Sequence, residues 1–328
     1  MKKYNWGIIG LGRIAHKFAQ DIDKGKNMRL HAVASRSKDR AEAFAKQYGA
    51  THSFGAYEKI VDCPDLDVVY VATPHVTHCS NTLLCLKAGI PVLCEKPFAM
   101  NLKEVRQMIE AAHSTDTFLM EAIWTRFLPA TKKILELIEQ DEIGQVVSVK
   151  ADFGFRPPFD PEGRLFNRDL GGGSLLDIGI YPVFLAQLLL GRPQQIKAMA
   201  NIGPTGVDVD CGILFQYGDG RLAHLHSTLL AETKTEAFIY GERGTIHFHS
   251  RWHEPSWFTL IKEGERPQNF HFDYFSNGYH YEAEEVVRCL SEGMKESDLL
   301  PLGFSEDLIG VLDKIREQAE INYPEVDK

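Results

Sequence analysis

Glu95-Lys96-Pro97 comes directly after a short apolar run, Ile90-Pro91-Val92-Leu93-Cys94, of the kind that fills the interior of a parallel sheet. Residues at the end of such a strand lie on the carboxyl edge of the sheet, where open α/β folds bind ligands. A lysine there brings a mobile ammonium whose pKa falls on partial desolvation, which suits it to hold a hydroxyl and ease its proton off. Pro97 restricts the chain directly after Lys96, and an X-Pro bond admits the cis form. The plain alternative is a solvated lysine after a strand. A second chemical segment is Gly171-Gly172-Gly173-Ser174 followed by Leu175-Leu176-Asp177-Ile178-Gly179-Ile180-Tyr181. If helical, Asp177 and Tyr181 are four apart and share a face among apolar neighbours, where a carboxylate and a phenol need partners. An ammonium such as that of Lys96 beside Tyr181 would lower the phenol from about 10 toward neutrality and make it a base. Alternatively Tyr181 is a core aromatic and Asp177 an acceptor that anchors the helix.

Upstream, Gly10-Leu11-Gly12-Arg13-Ile14-Ala15 has the G-x-G-x-x-A form between an apolar strand and a helix. Gly10 and Gly12 let the backbone approach a pyrophosphate, and the amides of Arg13 and Ile14 open the helix toward it. The second strand then ends in Ser35-Arg36-Ser37, where an NAD-specific chain would carry an acid for the ribose hydroxyl. A guanidinium with a neighbouring hydroxyl can take a 2'-phosphate, so NADP is favoured and NAD remains open. The alternative leaves Arg36 solvated and Ser37 capping the next helix. Thr73-Pro74-His75 and His78 follow the third apolar strand and share the carboxyl edge with Glu95 and Lys96, within reach of the same cofactor.

These residues need a scaffold, and the chain supplies two textures. From Tyr4 to about Met120 strand-like and helix-like segments alternate, which implies a doubly wound parallel sheet over residues 1–122. Asn101-Leu102-Lys103-Glu104 has the form of a capping box. Beyond about Gly144 come longer segments with two-residue periodicity, joined by the turn signals Gly218-Asp219-Gly220 and Gly241-Glu242-Arg243-Gly244. They predict a large, mainly antiparallel sheet in a second domain over 123–328, with the final helices returning to the first domain. Pro182 predicts a kink directly after Tyr181.

At 328 residues the chain can bury two cores. Its net charge of -9 argues against general affinity for nucleic acid or an anionic membrane surface. The longest apolar stretch, 173–191, contains Asp177, Pro182 and Gln187, which predicts a core helix and no membrane span. Six scattered cysteines without paired spacing predict free thiols and a reducing, cytoplasmic setting. No apolar signal segment follows Met1-Lys2-Lys3.

Together the Gly10–Ala15 loop, Ala34-Ser35-Arg36, Leu93 to Pro97, Leu119 to Phe127, Gly171 to Tyr181, Gly206-Val207-Asp208 and Tyr281-Glu282-Ala283 carry a resemblance. The chain resembles the glucose-fructose oxidoreductase / inositol dehydrogenase / MocA family nearly end to end. The resemblance implies a Rossmann domain and an open-sheet α/β domain that pairs two copies through the sheet face. It implies Lys96 and Tyr181 as the catalytic pair, where many relatives have a histidine in place of the tyrosine, and Asp177 as a supporting acid. Trp124, Arg126 and Phe153 are implied as substrate-pocket residues. The implied reaction is hydride transfer between a nicotinamide and a carbinol carbon of a pyranose sugar or vicinal diol. Pro182 and the loop Phe155-Arg156-Pro157-Pro158-Phe159 depart from the pattern and leave the substrate open.

Two other classes compete. A non-catalytic nucleotide sensor could use the same fold, although the joint presence of Lys96 and Tyr181 speaks for an enzyme. Among thirteen histidines, His224-x-His226 and His247-x-His249 could each place two ligands on one strand face for zinc. No cysteine or acid stands at a suitable spacing, so the pairs are assigned to a sheet face and no metal is expected.

Overall fold

The computed structural model describes residues 2–254, 257–273 and 276–324. It divides into two units, Met1–Phe127 with Tyr274–Glu306, and Leu128–Asp273 with Asp307–Lys328.

In the first unit the apolar runs become β1 (Tyr4–Ile9), β2 (Met28–Ala34), β3 (His52–Phe54), β4 (Val68–Val71), β5 (Val92–Glu95) and β6 (Leu119–Ala122). Between them lie α1 (Arg13–Ile22), α2 (Lys38–Tyr48), α3 (His78–Lys87) and α4 (Leu102–Ser114). The sheet order is β3-β2-β1-β4-β5-β6, and every pair is parallel. Helices cover both faces of such a sheet, so β1, β4, β5 and β6 are buried along their whole length and show no alternation. The strand order reverses between β1 and β4, where the crevice at the carboxyl ends opens. In this sheet β3 and β6 escape prediction as strands: the three half-buried residues of β3 are too short to show a period, and the four residues of β6 include a glutamate.

Local signals fix the helix ends. Ser37 Oγ accepts from Arg40 N at the start of α2, and Gly49, with φ +73°, ends it. Asn101 Oδ1 accepts from Glu104 N while Glu104 Oε2 reaches back to accept from Met100 N, so the two side chains serve the start of α4 reciprocally.

The second unit opens with α5 (Pro129–Glu139) and β7 (Val146–Gly154), followed by a five-residue π turn, Leu175–Gly179, that runs into α6 (Ile180–Leu190). Then come β8 (Gln195–Ile202), β9 (Asp208–Gln216), β10 (Leu222–Thr228), β11 (Ala237–Gly241), β12 (Gly244–Phe248), β13 (Trp257–Lys262) and β14 (Gln268–His271). Their order is β14-β13-β12-β11-β7-β10-β9-β8, antiparallel throughout except for the parallel β7–β10 pair. Both predicted hairpins are present. The sheet runs two strands further than the periodicity reveals, since Trp257-Phe258-Thr259-Leu260 is nearly continuous in apolar character.

One face of this sheet packs against the π turn and α6. In the stretch Arg168–Leu190, 89% of an apolar window long enough to cross a membrane is buried inside the protein, so its apolar surface is spent on the core. The other face leaves Met199, Leu214, Tyr240 and Ile261 exposed.

Just before the position where a kink is expected, the helix changes type. Pro182 is the third residue of α6, where the hydrogen bonding passes from the π to the α pattern, and its missing N–H falls at that junction. The start of the helix is held by Asp208, which is fully buried. Its Oδ2 accepts from Ser174 Oγ and from Leu175 N, both at 2.7 Å. Gly173, at φ +121°, passes so close that a Cβ would stand 2.3 Å from Asp208 Oδ1, which accounts for the glycine.

Two elements complete the chain, α7 (His280–Ser291) and α8 (Leu302–Gln318). The approach to α7 is held within the first unit by Asp21, whose carboxylate accepts from Asn277 N and Tyr279 N.

Candidate active site

In the first unit the carboxyl ends of β1, β2, β4 and β5 bring most of the predicted residues to one edge. Gly10 has φ +90°, and a Cβ there would lie 2.7 Å from Ala72 O at the end of β4. Gly12 precedes α1 and is different, because a Cβ there would meet nothing within 4 Å. No side chain caps α1 and no acid lies in its first turn, so the amides at Arg13 and Ile14 face the same opening as Gly12. A pyrophosphate fits this cradle: glycine is required by β4 at one position and leaves open space at the other.

At the end of β2, Ser35 is buried and its Oγ accepts from Ser37 N. Arg36 is exposed at the rim. Ser37 is the cap of α2, as one sequence alternative held. Arg40, which sequence reasoning missed, reaches back from α2 and donates from Nη2 to Leu11 O at 3.2 Å. The signal for it was a second guanidinium one helical turn after Arg36.

After β4, Thr73 Oγ1 accepts from Asn81 Nδ2, and Pro74 O accepts from Thr77 N. His75 is buried, with its ring edge-on to His78 at 5.6 Å between centroids. His78 has no exposed surface. Its Nδ1 lies 2.8 Å from Pro97 O and its Nε2 2.9 Å from Thr73 O. Carbonyl oxygens only accept, so both contacts are satisfied at once only by the doubly protonated ring. His78 thus spans the ends of β4 and β5 as a strut.

Lys96 is half-buried at the end of β5, and the Lys96–Pro97 bond is cis. Lys96 N donates to Glu95 Oε2 at 3.2 Å, while Glu95 Oε1 accepts from the phenol of Tyr70. The next peptide is gripped on both sides. Pro97 O faces His78, and Phe98 N donates to Glu121 Oε1 on β6 at 2.9 Å. Burial pushes the fully enclosed Glu121 carboxyl up to about 8, against which the Phe98 amide and the Lys96 charge pull it down. Trp124 stacks on Tyr279 with centroids 4.5 Å apart and planes within 9°, both rings being buried. Arg126 donates from Nε to Leu299 O, and burial holds its pKa below the usual guanidinium value. Within this unit both residues are engaged by the segment around α7.

The second unit places Tyr181, Asp177 and Phe153. Tyr181 is buried at the start of α6, with the Phe153 ring of β7 at 5.7 Å. His253 packs against both, 4.0 Å from Phe153 in a stacked arrangement and 5.4 Å from Tyr181. Nothing in its sequence neighbourhood marks His253, since it sits in the turn after β12. Asp177 is buried and paired in two-pronged fashion with Arg164, Nη1 to Oδ1 at 2.6 Å and Nη2 to Oδ2 at 3.3 Å. Arg164 likewise carries no signal in the sequence.

One expectation needs correction. The His247-x-His249 pair does have an acid beside it, because β11 is preceded by Glu236, whose Oε2 is 3.5 Å from His247 Nε2. Sequence spacing hides this, since the two come together only by strand pairing.

Comparisons with known proteins bear on the family and the fold. The model of the "Oxidoreductase family, NAD-binding Rossmann fold" matches residues 4–123, and that of the "GFO/IDH/MocA C-terminal domain" matches 131–247. The chain is 39% identical over 330 residues to the trans-1,2-dihydrobenzene-1,2-diol dehydrogenase of Danio rerio, covering 97% of each. It is 34% identical to the enzyme of that name from Homo sapiens, covering 98% of each. Among solved structures, aldose-aldose oxidoreductase from Caulobacter crescentus complexed with glycerol superposes with a TM-score of 0.89 at 25% identity, over 97% of this chain and 98% of that one. KijD10, a 3-ketoreductase from Actinomadura kijaniata in complex with NADP and TDP-benzene, shares the fold with a TM-score of 0.86 at 24% identity, with the same coverage.

The raised Glu121 carboxyl has a measurable consequence. Between about 4.5 and about 8 the folded protein keeps a proton that the unfolded chain releases, so this group makes stability fall as pH rises through that window. Glu121→Gln retains an acceptor for Phe98 N and cannot ionise. It is expected to exceed the parent in stability at pH 8.5 by on the order of 3 kcal/mol, with the difference vanishing near pH 4.5. Urea denaturation at the two pH values checks this, and a difference that does not change with pH would refute it.

Proposed function

The chain belongs to the GFO/IDH/MocA oxidoreductase family, and from that footing we propose an NADP-dependent dehydrogenase that acts on a carbinol carbon of a pyranose sugar or vicinal diol. The observation that carries the reading is Lys96, held at the end of β5 by a peptide gripped on both sides, two strands from the open glycine cradle. The names of the relatives, a dihydrodiol dehydrogenase and an aldose oxidoreductase, support the substrate class.

The cradle of Gly10, Gly12, Arg13 and Ile14 would hold the pyrophosphate, and Thr73, Pro74 and His75 would border the nicotinamide end with Glu95. When bound, the nicotinamide supplies the hydride acceptor or donor. Oxidation of a carbinol also leaves a hydroxyl proton to move. Lys96 Nζ is proposed to hold that hydroxyl and Tyr181 Oη to take the proton, returning it in the reverse direction. Asp177 would support Tyr181 through its ion pair with Arg164, and Phe153 with His253 would form an aromatic wall. Trp124 and Arg126 are proposed as more remote supports of the substrate region, given their ties to Tyr279 and Leu299. His78 is proposed as a positioning residue. The first unit would thus be the cofactor domain and the second the substrate domain.

Lys96→Met and Tyr181→Phe are each expected to lower kcat by about 10²–10⁴-fold while NADPH binding, read by fluorescence titration, stays nearly intact. Turnover at the parent rate in either variant, with a panel of aldoses, inositols and diols, would remove that residue from the mechanism.

Arg36 with Ser35 supports NADP over NAD, and Arg40 adds a second cation near the loop. Arg36→Ala is expected to raise KM for NADP by about 10- to 100-fold and to leave KM for NAD little changed. A parallel rise for both cofactors would speak against a 2'-phosphate contact.

A homodimer through the exposed sheet face is proposed from the apolar residues left there, and a cytoplasmic setting from the six buried free thiols. Met199→Glu with Leu214→Glu should convert the dimer to a monomer in sedimentation equilibrium. An unchanged mass would place the interface elsewhere.

A further inference from the structure

At the β2–β3 edge of the first unit, three side chains distant in sequence meet. His31 comes from β2, His52 from β3, and Cys63 from the end of the short helix 57–62 that packs beside them. One ligand atom from each lies within 4.8 Å of the other two.

The tautomer of His31 is decided by its surroundings. Its Nε2 lies 3.0 Å from Pro64 O, and a carbonyl can only accept, so Nε2 carries the hydrogen of the neutral ring. Nδ1 is then a bare lone pair. The residue is 6% exposed, and Nδ1 has no hydrogen-bond partner among the described residues. An unanswered acceptor in a buried position is costly. A ring whose outer N–H is fixed on a carbonyl while the other nitrogen is left bare is the arrangement seen in metal-binding histidines. The His52 ring stands edge-on to it with centroids 4.8 Å apart. Cys63 Sγ, whose hydrogen-bond contact among the described residues is a weak one of 3.6 Å to Pro64 O, is buried beside them.

We propose that His31, His52 and Cys63 form a binding site for Zn²⁺, with a water in the fourth position. Two imidazoles and a thiolate suit this ion in softness and charge. Bonds of about 2.0 Å to nitrogen and about 2.3 Å to sulfur bring tetrahedral ligands to roughly 3.3–3.5 Å from one another, so the side chains close by about an ångström on binding. The Cys63 proton leaves to solvent as the metal–sulfur bond forms. Burial and the nearby Asp65 carboxylate keep that thiol protonated until then. The bound ion would tie the helix 57–62 to the β2–β3 edge, away from the proposed chemistry of Lys96.

Co²⁺ serves as the probe, added to the reduced full-length protein freed of metal. The expected result is one Co²⁺ per chain with a thiolate-to-cobalt charge-transfer band, displaced by Zn²⁺. Cys63→Ser should lose the band, and His52→Gln should weaken binding by about tenfold or more, while His247→Gln keeps both band and affinity. A measurement without any variant guards against misfolding: Zn²⁺ should slow alkylation of Cys63 by about tenfold or more, as thiolate ligation predicts. Absence of the band in the parent, its survival in Cys63→Ser, unprotected Cys63, or loss of binding only in His247→Gln would each overturn the assignment.

Discussion

The first unit depends on one peptide group, the one joining Pro97 to Phe98. Its carbonyl faces the His78 ring and its amide donates to Glu121, so the strand end that carries Lys96 is fixed from both flanking strands. A mobile lysine on a mobile loop would lose much of its effect, because positioning a reacting group is worth several kcal/mol and a shift of about 1 Å can forfeit a large part. The flexible part is confined to the four-carbon stem of the side chain. The backbone that carries the stem is held to the sheet.

A similar logic orders the second unit. Asp208 at the start of β9 receives Ser174 and Leu175, the glycines before them admit the close approach, and the π turn absorbs the missing donor of Pro182. Tyr181 emerges two residues into α6 with Phe153 and His253 against it. In both units a buried carboxyl holds backbone close in sequence to a residue proposed for the chemistry, Glu121 after Lys96 and Asp208 before Tyr181. Burial raises the pKa of both carboxyls, Glu121 and Asp208, so each pins its backbone at some electrostatic cost.

The parallel sheet, the glycine cradle and the hairpins were legible because their signals are local: continuous apolar runs, G-x-G-x-x-A, paired glycine turns. Glu121 and Asp208 were visible as parts of recurring segments but without a role, since their hydrogen-bond partners lie 23 and 33 to 34 residues away. Arg164, His253 and Glu236 could not be found at all by spacing, because only tertiary pairing brings them to Asp177, Tyr181 and His247. Strands β13 and β14 were lost for other reasons: near-continuous apolar character in β13 erases the two-residue period on which strand assignment rests, and β14 is four mostly polar, exposed residues at the sheet edge.

The protonation state of Glu121 bears on why a buried acid is tolerable near Lys96. Ionised, it would attract the Lys96 ammonium and compete with any hydroxyl that the lysine is to hold. With its pKa pushed up to about 8, the carboxyl is mainly neutral at pH 7, and its Oε1 still accepts from Phe98 N. The same side chain therefore fixes the backbone without cancelling the charge one residue before the gripped peptide. Glu282 on α7 follows the same rule, since burial and then the neighbouring Glu95 raise it well above the usual carboxylate range. A neutral acid can thus supply an acceptor for the backbone at Phe98 without adding a negative charge beside Lys96, and in a low-dielectric interior that difference counts for more.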